Sequence, residues 1–229
     1  NRFSVKDLLL FLLVFVLIVL VVLAMVQYDR QWEQMQALER IPQLAAEFGS
    51  VFGRDSGGLL RPYRTEDAET IVIAMGSVLG TIKDTVDAMR QPENGGHRIG
   101  VLGITSYRPF PLAAVANALK NCKRFVVLEK SLAVGIGGIV ATDVRMAVTG
   151  MGLKGFTVIA GLGGRAITMK SLTALFEKAT REELDLVTFL DLDWKAVNMQ
   201  LEREKARRRS GPVAEALLRD VGVVGARNY

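Results

Sequence analysis

The sequence has only one cysteine and one histidine among its 229 residues. Cys122 cannot form an intramolecular disulfide, and it cannot ligate an iron–sulfur cluster without further thiolates. Cys122 and His97 together also fall short of the ligand set of a zinc site. We therefore expect the chain to carry no metal site or cluster of its own.

Charge of one sign is not in marked excess, because 29 basic residues stand against 24 acidic ones, a net charge of +5. The excess is spread along the chain. The one basic run, at residues 205–209, has no interleaved aromatic residues and is interpreted as a solvated helix end. We expect no nucleic-acid partner.

Motifs of several enzyme classes are also missing. The sequence contains no G-x-S-x-G elbow, no H-E-x-x-H helix and no Walker pattern, and its glycine clusters at residues 76–80, 135–138 and 161–164 do not match G-x-G-x-x-G. Glycine clusters that begin at Gly76, Gly135 and Gly161 are interpreted as tight turns. The cluster from Gly161 to Arg165 ranks highest for function, because amides at a strand end beside a guanidinium can contact an anion or a partner.

One long hydrophobic run is present, at residues 8–26, and it is apolar on every face. As a helix it would span about 28 Å, close to the hydrocarbon thickness of a bilayer. A cleavable signal peptide would have a shorter apolar core and a small-x-small cleavage site, which residues 24–28 do not provide. We predict a single-pass transmembrane helix or an uncleaved signal anchor.

The segment after this run is polar. Tyr28 and Trp32 suit a membrane interface, and residues 29–40 predict a short helical stalk that ends before Pro42. Basic residues on the two sides of the apolar run are equal in number, so charge does not decide the orientation. Residues 1–40 are thus assigned to an anchor and stalk, and residues 41–229 to a second domain with a helical C-terminal tail.

The second domain alternates apolar runs with helical patterns, which predicts an α/β fold with a mostly parallel sheet and helices on both faces. Ile82, Val86 and Met89 share one face of a predicted helix. Asp193 is expected to cap a helix over residues 194–209. The predicted strands are residues 70–75, 98–104, 125–128 and 156–160, and the predicted helices are residues 78–90, 111–119, 140–148 and 169–178.

The carboxylates include no acid–base pair that can be placed. Glu129 and Lys130 end the third predicted strand, at the edge where open α/β sheets bind ligands. Two interpretations apply to this edge, a ligand contact and an ion pair at a domain interface, and the ion pair is favoured.

Several ordered motifs resemble the alpha subunit of pyruvate:ferredoxin oxidoreductase. The similarity is to its second domain, which is related to the transketolase C-terminal domain, and it extends from about residue 41 to the C-terminus. The motifs are residues 57–69, 74–77, 80–81, 84–90, Tyr107-Arg108-Pro109-Phe110-Pro111, residues 127–130, Gly161-Leu162-Gly163-Gly164-Arg165 and residues 190–194.

The resemblance implies a role in an enzyme that oxidises 2-oxoacids such as pyruvate with thiamine diphosphate, iron–sulfur clusters and coenzyme A. It also implies that this domain packs against catalytic domains and helps to assemble subunits. Candidate interface residues are Arg108, Phe110, Glu129 and Arg165, with support of the domain's own loops as the alternative role.

The sequence departs from the family in the parts that hold cofactors. It lacks the pyrimidine-binding domain, the Gly-Asp-Gly diphosphate motif and the cluster cysteines. No catalytic, cofactor-binding or metal-binding residue is therefore assigned, and these cofactors are expected only in partner subunits of the beta, gamma and ferredoxin-like delta types.

Two hypotheses remain at this stage. In the first, the chain is a non-catalytic assembly domain of a 2-oxoacid:ferredoxin oxidoreductase, tethered to a membrane with its domain in the cytoplasm. In the second, it is a membrane-anchored orphan α/β module from a gene fusion or truncation, with a binding role or no enzymatic role.

Overall fold

The structure is a computed structural model that describes residues 5–206. The chain divides into two compact units, Asn1–Leu190 and Asp191–Tyr229. The helices are α1 Val5–Phe52, α2 Val78–Arg90, α3 Leu112–Leu119, α4 Ile139–Ala147, α5 Met169–Thr180 and α6 Trp194–Ala206. The strands are β1 Leu60–Tyr63, β2 Thr70–Ala74, β3 Ile99–Ile104, β4 Arg124–Glu129, β5 Lys154–Ile159 and β6 Val187–Phe189.

The six strands form one sheet in the order β1-β3-β2-β4-β5-β6. Strand β1 pairs with β3 antiparallel, and every other pairing is parallel. Helices α2 and α5 pack on one face of the sheet, and α3 and α4 pack on the other. The predicted α/β fold with a mostly parallel sheet is confirmed.

The four predicted strands are confirmed as β2, β3, β4 and β5, each within two residues at its ends. Strands β1 and β6 were not predicted. Strand β1 contains Arg61 and Pro62, both exposed at the edge of the sheet, where a missing amide is tolerated. Strand β6 is three residues long and also lies at an edge, so neither strand shows the apolar run of a buried strand.

Helix α2 has the predicted bounds, and Ile82, Val86 and Met89 are all buried. The predicted cap of α6 is also confirmed, because the Ala196 amide donates to Asp193 Oδ1 over 3.0 Å. The end predicted for this helix, with the rest of its basic run, lies outside the described residues.

Helix α1 is 48 residues long and contains Pro42, so the prediction that the stalk ends before Pro42 is wrong. An interior proline costs about 3 kcal/mol, but the flanking Gln, Glu, Ala, Leu and Met residues favour a helix. The helix ends instead at Phe52, where Gly53 takes a left-handed φ of 62° and donates its amide to Gly49 O over 2.9 Å.

The two halves of α1 have different surroundings. Among the described helices, only α1 is long and apolar enough to cross a membrane, by length and composition alone, and its most apolar window is 0% buried. In its second half Ala37, Ile41, Ala45 and Gly49 recur every four residues and are half-buried. Part of this face lines a groove of about 710 Å³ together with Leu60 and Ala114.

Candidate functional site: the carboxyl edge of the sheet

The candidate site is the edge at which β2, β3, β4 and β5 end. Because these strands are parallel, the loops that follow them lie on the same side of the sheet. All four interface candidates of the sequence lie there, with Arg108 and Phe110 after β3, Glu129 at the end of β4 and Arg165 after β5.

Arg108 is held by aromatic rings and by a carboxylate. Its guanidinium carbon lies 3.9 Å from the centroid of the Tyr107 ring and 5.9 Å from that of Phe110. Its Nη2 forms an ion pair with Asp143 Oδ2 of α4 at 2.8 Å. The Arg108–Pro109 peptide bond is cis. The ion pair and the ring contacts hold Arg108 as a half-exposed cation beside two aromatic rings.

Glu129 is buried, with 8% of its surface exposed. Its Oε2 accepts from the Val140 amide over 3.0 Å, and its Oε1 accepts from the Ala141 amide over 2.9 Å. The sequence favoured an ion pair for this residue, but here the carboxylate caps the N-terminus of α4, where both the free amides and the helix dipole favour negative charge.

The surroundings of the Glu129 carboxylate are tightly packed. A Cβ at Gly138 would collide with the Glu129 carboxylate and would lie 2.8 Å from Thr157 Cγ2. Burial lowers the pKa of Arg145 on α4, and the Glu129 charge opposes that shift. The Arg145 guanidinium still stays protonated at neutral pH. Arg145 and Glu129 are therefore not an acid–base pair, and the role of the Glu129 carboxylate is to cap α4.

The loop between β4 and α4 carries an apolar tip. Ala133 and Gly137 exchange backbone hydrogen bonds of 2.7 and 2.8 Å, which closes a tight turn. Val134 is 97% exposed and Ile136 is 71% exposed on this turn. Because loop tips are normally polar, two exposed apolar side chains on an ordered turn are typical of a contact surface.

The loop after β5 places Arg165 and a glycine turn at the same edge. Here the structure brings in Lys130, which the sequence had not connected with this turn. Lys130 Cε would lie 3.0 Å from a Cβ on Gly161, so the lysine side chain lies against the turn. Arg165 itself is exposed.

Sequence reasoning missed Asp143, Val134 and Ile136. Asp143 has no local signal, since it meets Arg108 only through the packing of α4 beside the loop after β3. The other two could have been found, because apolar residues alternate with glycine in a segment that was already interpreted as a turn.

The described residues do not fit an iron–sulfur cluster or another metal centre. Within residues 5–206 no group of three or more His, Cys, Asp or Glu side chains could hold a metal ion. The Cys122 thiol is buried and donates to Leu119 O over 3.1 Å. Burial raises its pKa to about 11, so at neutral pH it is a thiol and not a thiolate ligand.

The opposite, amino edge of the sheet carries ion pairs. Glu182 accepts from Lys154 Nζ over 2.7 Å and from Arg124 Nη2 over 3.1 Å. The Lys154 hydrogen bond, followed by that of Arg124, holds the pKa of Glu182 below its ordinary value. These pairs join β4 and β5 to the segment after α5, so the charged residues at this edge have a structural role.

Comparison with known protein families gives a match for the core of the sheet. Residues 68–172 match the family described as pyruvate:ferredoxin oxidoreductase core domain II. This segment includes β2 to β5 and the loops that carry Arg108, Phe110, Glu129 and Arg165.

Curated relatives extend the match on both sides. The pyruvate synthase subunit PorA of Methanosarcina barkeri is 36% identical over 175 residues, which are 72% of this chain and 42% of that protein. The same subunit of Pyrococcus furiosus is 35% identical over 174 residues, 72% of this chain and 43% of that protein. The chain thus spans about two fifths of the length of these relatives.

Two further matches are more distant. The ketoisovalerate oxidoreductase subunit VorA of Pyrococcus horikoshii is 31% identical over 144 residues, 62% of this chain and 36% of that protein. A solved 2-oxoglutarate:ferredoxin oxidoreductase from Magnetococcus marinus aligns with a TM-score of 0.40 and 16% identity, over 58% of this chain and 21% of that one. The family and subunit matches confirm the resemblance: residues 68–172 of this chain are similar to core domain II of pyruvate:ferredoxin oxidoreductase.

Proposed function

We propose that this chain is a non-catalytic assembly domain of a 2-oxoacid:ferredoxin oxidoreductase. The match of residues 68–172 to core domain II carries this proposal. Relatives named as subunits of pyruvate synthase and of ketoisovalerate oxidoreductase support an association with further subunits.

The state of the polar groups at the carboxyl edge supports a structural role. Both Glu129 oxygens are used by α4, and Arg108 is paired with Asp143, so these two charged groups already have partners within the domain. Thiamine diphosphate, iron–sulfur clusters and coenzyme A would then be bound by partner subunits of the beta, gamma and ferredoxin-like delta types.

The surface at this edge suits contact with such subunits. The apolar tip of Val134 and Ile136 and the aromatic pair beside Arg108 have the composition that is enriched at the centres of interfaces. A partner that buries the tip would remove two aliphatic side chains from water, which is worth about 1.5–3 kcal/mol for each fully buried side chain.

The first half of α1 supports attachment to a lipid bilayer. Its apolar window has no part buried in the protein, so its side chains have no apolar environment of their own. A single membrane pass would provide one. The domain would lie on the cytoplasmic side, where ferredoxin-type partners are kept reduced.

A membrane-anchored orphan module is the second candidate. It is favoured by the position of the apolar part of α1, which lies outside the residues that match core domain II. In that case the domain would keep its fold and its exposed apolar tip but would have no enzyme partners.

The test is to purify the tagged full chain gently from its native membranes and to identify the proteins that copurify. The preparation is assayed for reduction of a viologen dye that depends on pyruvate and coenzyme A. Copurifying iron–sulfur subunits and activity would support the assembly domain, whereas an inactive, monodisperse chain would favour the orphan module.

Variants connect the assay to the proposed surface. Val134→Asp should dissociate the partner subunits and abolish the dye-reducing activity of the preparation, because it places a charge in the centre of the apolar contact. Met146→Asp is the matched control, since Met146 is also exposed but lies at the far end of α4. Equal loss in both variants would contradict the role assigned to the tip.

A further inference from the structure

The second half of α1 carries a line of apolar side chains, which we call the seam. Successive members are separated by four, three, four and three residues, the spacing that places side chains on one line in a coiled coil. The seam consists of Ala37, Ile41, Leu44, Phe48 and Val51. The charged residues of segment 37–52 are Glu39, Arg40 and Glu47, and all three lie off the seam.

The rest of the described chain leaves most of the seam open. Its last three side chains are exposed. The half-buried face of this part of α1 contains Ala45 and Gly49, and the Ala45 Cβ lies 3.7 Å from the position of a Cβ on Gly58, in the segment after the helix. At about 100° per residue, that face lies roughly a quarter of a turn from the centre of the seam. The chain therefore packs beside the seam and not over it.

A lipid bilayer does not cover the seam either. The apolar run ends at Val26, and Leu44 follows on the same continuous helix. At 1.5 Å per residue, Leu44 lies about 27 Å beyond the end of the run. The polar headgroup region is only about 5–8 Å thick on each side of a bilayer. In a helix that crosses the membrane upright, the exposed part of the seam therefore stands in water.

Membrane attachment would bring the seams of two copies together. Every copy would cross the bilayer in the same direction, so the α1 helices of neighbouring copies would run parallel and hold their seams at the same height. Two heptads are too few for a coiled coil between free molecules, and the exposed side chains fall short of a standard interface of about 1,200–2,000 Å². Confinement in one membrane raises the effective concentration of one seam for another without a new contact.

We infer that the seam is the contact surface for a second copy of this chain, so that two α1 helices form a parallel pair outside the membrane. The pair is symmetric, because the same line of residues is used by both copies. Leu44 and Phe48 each face the same residue of the second copy. The inference rests on the membrane attachment proposed above, and it is independent of the proposed assembly role.

Disulfide cross-linking tests this contact. The full chain, without partner subunits, is placed in phosphatidylcholine vesicles at a low protein-to-lipid ratio, and Cys122→Ser removes the native thiol. Leu44→Cys puts a thiol on the seam, and Ser50→Cys is the matched control, exposed and about 120° around the helix. With an oxidant, Leu44→Cys should give about fivefold or more disulfide-linked dimer than Ser50→Cys, because facing seam residues come within disulfide range.

Like charges on the seam should separate the pair. Leu44→Glu together with Phe48→Glu places carboxylates on both facing seams and should weaken self-association about tenfold or more. Gln43→Glu together with Ser50→Glu is the matched control, since both residues are exposed and lie away from the seam. Energy transfer between fluorescently labelled copies in the vesicles measures the association, and circular dichroism of each variant checks that the fold is kept.

The outcomes separate the inference from the proposals that precede it. A chain that leaves the vesicles in alkaline carbonate would contradict the membrane attachment, and the inference would fall with it. A chain that stays in the vesicles but cross-links equally through Leu44→Cys and Ser50→Cys would overturn the inference alone, as would equal loss of energy transfer in the two glutamate pairs. In native membranes, cross-linking of Leu44→Cys to a different subunit in place of a second copy would also overturn it.

Discussion

Glu129 and Val140 are joined by a 3.0 Å hydrogen bond between the Val140 amide and Glu129 Oε2, across eleven residues of sequence. The bond connects the end of β4 to the start of α4. It therefore closes the loop that carries the exposed Val134 and Ile136, and it makes the shape of the candidate contact surface depend on one buried carboxylate.

Removal of this carboxylate should destabilise the domain. Glu129→Ala leaves the Val140 and Ala141 amides without a partner at a buried helix N-terminus, which we expect to cost about 1–3 kcal/mol of unfolding free energy. Urea denaturation of the full chain in detergent measures the change. Glu93→Ala, at an exposed turn position, should stay within about 0.5 kcal/mol. Equal stability of the two variants would show that the cap contributes nothing.

Cys122 should be inert in the folded chain. Its side chain is buried, and burial raises the pKa of the thiol to about 11, so at pH 8 only about one molecule in a thousand is a thiolate. Alkylation by iodoacetamide should be slow until denaturant exposes the thiol. A chain with Cys122→Ser and Lys120→Cys moves the single cysteine to an exposed position and should react quickly when folded. Rapid labelling of the parent chain before unfolding would contradict this burial.

The ion pairs of Glu182 predict a pH dependence. Its folded pKa is lowered, chiefly by Lys154 and then by Arg124, so its stabilising contribution is present above the unfolded pKa of about 4.3 and is lost as the pH falls through the folded pKa. Glu182→Gln should thus have a lower urea midpoint than the parent at pH 7, and the difference should disappear in acid. For Glu93→Gln we expect no such pH-dependent difference, and a constant Glu182→Gln difference down to pH 2 would refute the assignment.

The apolar half of α1 should hold the chain in a membrane. After a wash with alkaline carbonate the chain is expected in the membrane pellet, because the aliphatic side chains of this segment are exposed and pack against no other part of residues 5–206. Val16→Arg together with Val19→Arg should shift it to the supernatant, since each charge at the centre of a span costs about 2.5–3.5 kcal/mol. Leu44→Arg, outside the apolar run, is the control and should remain in the pellet.

Elements with a strong internal pattern were predictable. Helix α2 was placed at its observed bounds because Ile82, Val86 and Met89 repeat with helical spacing and are all buried. Elements without such a pattern were not predictable. Strand β1 contains Pro62 at an edge, and α1 continues past Pro42 because the surrounding residues favour helix more strongly than one proline disfavours it.

The sequence by itself determined the α/β class, the positions of the four buried strands along the chain, the apolar run before the domain and the scarcity of metal ligands. These properties depend on composition or on periodicity within one element. Only the tertiary structure decided that Glu129 caps α4, that Asp143 holds Arg108 and that Lys130 lies against the turn at Gly161. Such pairs join segments that are distant along the chain, and their contacts depend on how crossover helices and parallel strands bring those segments to one edge of the sheet.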